Sequence, residues 1–294
     1  MFSRGIIATD LSEASKKLVQ CARGLKPLGT RDILLLQCVR NMEATSLALS
    51  ESNEVLQNIL EEQKSILVEE GFSTSTEVAF GTPHNEINRI AHEQNYSFIM
   101  VGSHGHTLSR DILLGSVASE VIQSAKKPTF VVRITPKKSD NPDADERIDI
   151  CDDFHSSILF PTDFSQTADT AFTYVEDMVK SGARSVTIMH VQDRIKLDKH
   201  SKKMLEEFDE IDRSRLNELK TRLLNINNGV IVNSKITYNK PSQDILAAAE
   251  KINPSIIVMG THGRGYVQEV FMGSVSHTVT RNAKTSLLLV PLGA

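Results

Sequence analysis

No stretch of about 18 consecutive apolar residues occurs in this chain, so the sequence holds no segment that reads as a spanning helix. Its first residues, Met1-Phe2-Ser3-Arg4-Gly5-Ile6, lack a long apolar segment behind a basic one, which argues against a secretory leader. Cysteine is scarce. Cys21, Cys38 and Cys151 lie far apart and form no Cys-x-x-Cys, so neither a disulfide framework nor a zinc site is indicated. An excess of positive charge is also missing: 33 Lys+Arg against 37 Asp+Glu leave a net charge of -4, with no broad positive field for nucleic acid or anionic lipid. The histidines show no metal-ligand spacing, and no Ser, His and Asp constellation is evident, so no catalytic or metal-ligating residue is assigned. These absences predict a cytoplasmic, reduced protein that binds neither nucleic acid nor membrane.

What is present is a repeat. The spacing Gly-x-x-Gly, nine residues, then Gly-Ser occurs as Gly102-Ser103-His104-Gly105 to Gly115-Ser116 and again as Gly260-Thr261-His262-Gly263 to Gly273-Ser274. Each copy follows a short apolar run, Phe98 to Val101 or Ile256 to Met259. The likeness extends upstream. Ile6-Ile7-Ala8-Thr9-Asp10-Leu11-Ser12 parallels Ile158-Leu159-Phe160-Pro161-Thr162-Asp163-Phe164-Ser165, each a buried strand ending in Thr-Asp-x-Ser before a helix-forming stretch. Further strands are expected at Asp32 to Val39 and Ser185 to Val191, Ser75 to Val78 and Val230 to Ile236, and Thr129 to Val132 and Ser286 to Val290. Helices are expected at Glu13 to Leu25, Asn53 to Glu70, Gln166 to Val179 and Ser201 to Leu224, and others open at Pro83 and Pro241, where proline suits a first turn.

The resulting order, βαβαβαβαβ in each half, predicts an α/β protein of two tandem doubly wound domains, each a parallel sheet with helices on both faces. A length of 294 residues and a hydrophobic fraction of 40% suit two such domains. The charged, proline-bearing segment Pro136 to Glu146 reads as an exposed linker. The expected boundaries are residues 1–138 and 154–294 for the domains and 139–153 for the connection.

In such sheets ligands sit beyond the carboxyl ends of the strands, where strand order reverses. That places Thr9, Asp10, Gly102 and Gly105 around one crevice, and Thr162, Asp163, Gly260 and Gly263 around another, if the first and fourth strands are neighbours. Glycine lets backbone approach a ligand, and a helix opening at Gly-Ser offers free amides to a phosphate, with Ser116 or Ser274 as a further donor. The same residues could simply end strands and cap helices, but a cap alone needs no nine-residue spacer. Asp10 and Asp163 suit either a helix cap or a ribose or adenine edge. His104 and His262 read as loop-orienting donors rather than bases. His106 and Arg264 follow the motif glycines, and Arg264 is the better phosphate candidate.

At these residues the chain resembles the universal stress protein family, in particular its ATP-binding branch with two tandem domains. The resemblance spans nearly everything but the linker. It implies a five-stranded sheet of order 3-2-1-4-5 with an adenine nucleotide, ATP or AMP, in the crevice and Mg²⁺ as an optional companion. It sets Ala8, Thr9 and Asp10 near base and ribose, with Cys38 beside the adenine. Val101, Gly102, Ser103, Gly105, His106, Gly115, Ser116 and Val117 would line ribose and phosphates. The matching positions of the second half are Pro161, Thr162, Asp163 and Val191, then Met259, Gly260, Thr261, Gly263, Arg264, Gly273, Ser274 and Val275. Ala8-Thr9-Asp10 departs from the family's common strand end, and the two sites differ where Cys38 and His106 stand against Val191 and Arg264.

The resemblance also implies an internal pseudo-dimer through the last strands of the two halves, and leaves room for a homodimer of whole chains. The function it suggests is a nucleotide-dependent sensor or regulator of the stress response without efficient catalysis. The alternatives are a slow ATPase or nucleotidyl-transferring enzyme on the same fold, which the absence of a Walker A Lys-Ser/Thr ending disfavours, and a scaffold with vestigial sites.

Overall fold

The computed structural model describes residues 1–40, 52–103, 114–136, 148–149, 153–193, 202–264 and 272–294. They fall into two compact units, Met1–Asp153 and Phe154–Ala294. In the first unit the elements are β1 (Arg4–Thr9), α1 (Glu13–Cys21), β2 (Asp32–Val39), α2 (Ser52–Glu69), β3 (Ser73–Phe80), α3 (Pro83–Glu93), β4 (Phe98–Gly102), α4 (Ser116–Ser124) and β5 (Thr129–Val132). The strands lie in the order β3-β2-β1-β4-β5, and every pairing among them is parallel. A two-residue antiparallel pair, β6 (Thr135–Pro136) with β7 (Ile148–Asp149), follows.

The second unit repeats the plan with β8 (Ser157–Pro161), α5 (Gln166–Lys180), β9 (Ser185–Gln192), α6 (Lys202–Ile226), β10 (Ile231–Tyr238), α7 (Pro241–Ile252), β11 (Ile256–Gly260), α8 (Ser274–Asn282) and β12 (Leu287–Val290). Its strands run β10-β9-β8-β11-β12, again all parallel. The expected 3-2-1-4-5 order is therefore the observed one in each unit.

Parallel strands covered on both faces must be apolar throughout, and the central ones are: Ile6, Ile7, Leu35, Leu36, Ile99 and Met100 are fully buried, as are Leu159, Phe160, Ile257 and Val258. In the first unit the core closes on three rings, Phe2, Phe98 and Phe130, with centroids 5.3 to 6.1 Å apart. Gly5 makes room for them, since a Cβ there would fall 2.2 Å from a ring atom of Phe98. Phe160 and Phe172 meet at 5.3 Å in the second unit.

One expected helix is shorter than the sequence suggested. α1 stops at Cys21, and Ala22–Leu28 continues as a 3₁₀ helix containing Pro27. Proline has no N–H to give and its ring crowds the carbonyl four residues back, so the α-helical ladder cannot run through it. Gly29, at φ 85°, ends the turn.

Candidate functional site

The strand order reverses between β1 and β4, and between β8 and β11. At both places the sequence Thr-Asp-x-Ser folds into the same turn. Thr9 Oγ1 accepts from Leu11 N at 3.0 Å and Asp10 Oδ1 accepts from Ser12 N at 3.1 Å. Thr162 Oγ1 accepts from Phe164 N at 3.0 Å and Asp163 Oδ1 accepts from Ser165 N at 3.1 Å. The third residue of each turn has positive φ, 61° for Leu11 and 57° for Phe164, a conformation that bulky residues rarely adopt. The helix caps are the serines. Ser12 Oγ accepts from Ser15 N at 3.2 Å, and Ser165 Oγ accepts from Ala168 N at 3.3 Å. Asp10 and Asp163 thus shape the approach to the helix rather than cap it. In the first unit Ser15 Oγ also donates to Asp10 Oδ1, a contact that Ala168 cannot make in the second.

The glycine loops leave β4 and β11 beside these turns. Ser103 N donates to Val132 O and Gly115 N to Ser103 O, at 2.9 and 2.7 Å. Their counterparts are Thr261 N to Val290 O at 2.9 Å and Gly273 N to Thr261 O at 2.8 Å. Each loop is therefore pinched at its neck. His104, Gly105 and His106 lie outside the described residues. Ser103 and Thr261 are buried, so what each offers at the neck is backbone, while Thr261 Oγ1 lies 2.9 Å from His262 Nδ1.

The second loop shows why its glycines are glycines. A Cβ on Gly260 would meet the backbone of Thr167 at 2.9 Å, so the first turn of α5 lies directly on that residue. Thr167 Oγ1 donates to His262 O, and Ser276 Oγ donates to Gly260 O at 2.9 Å, which tie the loop to α5 and α8. A Cβ on Gly263 would sit 2.6 Å from Asp163 Oδ2, and one on Gly273 would lie 3.3 Å from Thr261 O and 3.6 Å from Gly263 N. Gly263 therefore packs on the strand-end carboxylate, while Gly273 packs on the backbone of Thr261 to Gly263.

Arg264 is turned toward that carboxylate. Its backbone N donates to Asp163 Oδ2 at 2.9 Å and its Nε–H donates to the Asp163 carbonyl. Both helices that leave the glycine loops open without a side-chain cap. Gly115 and Gly273 occupy the N-cap positions of α4 and α8, whereas α1 and α5 are capped by serine. The first amides of α4 and α8 have no intrahelical acceptor, and Ser116 and Ser274 are exposed beside them. Such an end suits an anion.

The remaining predicted residues divide by burial. Thr9, Thr162, Val101, Met259, Pro161 and Gly260 are buried in the strand ends. Ala8, Asp10, Gly102, Val117, Asp163, Gly263 and Val275 are half-buried. Cys38 and Val191 occupy equivalent places on β2 and β9, both half-buried. Burial, with Glu86 and Glu77 adding to it, pushes the Cys38 thiol up to about 12, so it presents a neutral, weakly polar surface like that of valine. Among the described residues, no cluster of three His, Cys, Asp or Glu is placed to hold a metal.

Sequence reasoning missed one feature beneath the second crevice. His190 Nδ1 lies 2.7 Å from Thr162 O, and its Nε2 lies 3.3 Å from Asp212 Oδ2. Gln192 Nε2 donates to the same Asp212 oxygen at 2.9 Å, and Arg215 Nη1 lies 3.5 Å from the other. The Phe164 ring packs on the His190 imidazole with centroids 4.7 Å apart. Setting the halves side by side could have found it, because β9 has His190 where β2 has Gln37.

The sequence model of the Universal stress protein family matches residues 1–133 and 155–291. Universal stress protein MJ0577 of Methanocaldococcus jannaschii is 30% identical over 155 residues, which cover 45% of this chain and 96% of that protein. Universal stress protein YxiE of Bacillus subtilis is 30% identical over 148 residues, covering 45% of this chain and all (100%) of that protein. The crystal structure of a universal stress protein from Archaeoglobus fulgidus aligns with a TM-score of 0.72 at 26% identity over 99% of both chains.

Proposed function

The chain belongs to the universal stress protein family, and on that premise we propose that each of its two units binds an adenine nucleotide, ATP or AMP, at its switch point. The observation that carries the reading is the agreement of two uncapped, glycine-led helix ends with two strand-end aspartates, one pair per unit. The base lies against Cys38 or Val191, the ribose against Asp10 or Asp163, and the phosphates at the first turn of α4 or α8. Residues 1–138 and 154–294 act as the two binding domains, with 139–153 as their connection.

The bound nucleotide serves as a signal rather than a substrate in turnover. Backbone amides, serine hydroxyls and a ribose-facing carboxylate favour binding, and none of them is a positioned base or a Walker-type lysine. Binding to the native state alone must raise its stability. Mass analysis of nucleotide released from freshly purified protein, followed by thermal unfolding with ATP and with AMP, tests the reading. Released adenine nucleotide and a rise in unfolding temperature are expected. Absence of both from saturating titrations refutes it.

A further inference from the structure

Both ring nitrogens of His190 face oxygen atoms that only accept. The Thr162 carbonyl has no proton to give, so Nδ1 carries the hydrogen of the 2.7 Å bond. Nε2, at 3.3 Å from Asp212 Oδ2, then either carries a second proton and donates or turns a lone pair toward a carboxylate. Only the imidazolium satisfies both contacts, and the pair is well enclosed, with side-chain exposures of 6% and 11%. The imidazole also brackets Asp163. It bonds the carbonyl of the residue before it, and it packs against the ring of the residue after it.

We propose that His190 is a positioning residue of the second crevice: as an imidazolium held between Thr162 and Asp212 it fixes the strand end that presents Asp163, and it makes nucleotide binding there dependent on pH. This rests on the adenine-nucleotide reading above. The charged groups around the ring agree with it. From α6 come Asp212 and Arg215, and the Arg215 and Arg264 guanidinium groups lie 5.3 and 5.9 Å from the centre of the Phe164 ring. Just past the end of β8 the His190 ring meets the Thr162 carbonyl, with Asp163 next in sequence. On β10 the neighbour is uncharged Ile236, while the ammonium of Lys235 answers to Asp244 and Lys251 of α7. α7 itself packs against the sheet through Ile245, Ala248 and Ala249.

The first unit lacks this device. Gln37 takes the place of His190 on β2, and Thr9 Oγ1 donates to Gln63 Oε1 at 2.7 Å, so neutral amides lie under that strand end. The first crevice then binds without a proton requirement, and the second binds best where His190 is charged. Raising the pH removes that proton, sets the Nε2 lone pair against Asp212 and loosens the turn that holds Asp163.

The test titrates ATP into the full-length protein by calorimetry from about pH 5.5 to 9, which brackets histidine titration, for wild type and for His190→Gln, which copies the first unit. Wild-type affinity at one of two sites is expected to fall at least about fivefold toward high pH, and His190→Gln to flatten that profile. Nitrogen-15 spectra of histidine-labelled wild type supply a readout independent of the variant's folding, with both His190 ring nitrogens protonated at the acid end. A wild-type profile identical to that of His190→Gln, or an unprotonated ring nitrogen at low pH, overturns the inference alone. Failure of ATP to bind either crevice at any pH overturns the nucleotide reading and this inference together.

Discussion

Gly263 and Asp163, 100 positions apart, approach so closely that a Cβ on the glycine would lie 2.6 Å from the aspartate Oδ2. Gly260 is as tightly enclosed, but by backbone: its Cβ would meet the Thr167 carbonyl carbon at 2.9 Å. The two contacts differ in what can yield. A carboxylate can rotate away, whereas the first turn of α5 cannot move without shifting the helix. Gly263→Ala is therefore expected to displace Asp163, release Arg264 N and weaken ATP binding at the second crevice about tenfold, with stability lowered by about 1 kcal/mol. Gly260→Ala is expected to destabilise the fold by about 2 kcal/mol or more. Calorimetric titration and urea unfolding of both variants separate the effects; equal loss of stability in the two would contradict this division.

The strand-end aspartates hold their turns by accepting from the backbone two residues on. Asp163→Ala leaves Ser165 N and Arg264 N without that acceptor and is expected to destabilise by about 1–2 kcal/mol. Asp163→Asn keeps an acceptor oxygen for one of the two amides and turns its NH2 toward the other, so it should be destabilised less than Asp163→Ala but not spared. Urea unfolding of the pair decides it. If Asn and Ala are equally destabilising, charge rather than hydrogen bonding holds the turn.

Much of this was legible in the sequence because parallel strands and glycine-led loops leave local marks. Ile6-Ile7 and Ile257-Val258 read as doubly covered strands from their unbroken apolar runs. The spacing from Gly260 to Ser274 marked a glycine-led loop opening a helix, with Gly260, Gly263 and Asp163 around one crevice. What stayed hidden depends on meetings across long sequence distances. His190 is an unremarkable strand residue until α6 brings Asp212 against it, and Phe164 gives no sign of positive φ because the Thr162 and Asp163 side chains impose it. The end of α1 was misjudged for a local reason, since the apolar pattern runs on to Leu25 while Pro27 stops the α-helical ladder.

The shared turn yields a prediction about residue shape. Leu11 sits at φ 61°, where branching at Cβ worsens the clash with its own backbone. Leu11→Val is expected to destabilise by about 1–2 kcal/mol, whereas Leu11→Asn, although polar, should be nearly neutral because asparagine tolerates this region. Thermal unfolding of the two variants checks the ranking. Should Val prove the milder change, side-chain burial rather than backbone strain governs the position.

Cys38 gives stability a dependence on alkaline pH. Its thiol is pushed from 9.0 to about 12 in the folded chain, chiefly by burial and then by Glu86 and Glu77. Between those values the unfolded chain has lost the thiol proton and the folded chain has kept it. The unfolded state then binds fewer protons, so this group's contribution is fully present below pH 9.0 and declines as pH rises toward about 12. Cys38→Val, which copies Val191, removes the titrating group while keeping an apolar side chain of similar size. Wild type is expected to lose more stability than Cys38→Val between pH 8 and pH 10.5 in urea unfolding, and its thiol should react slowly with alkylating reagents at pH 8, because the thiolate is the nucleophile. Parallel pH profiles in the two proteins, or rapid alkylation of Cys38, would show that the thiolate forms about as readily in the folded chain as in the unfolded one.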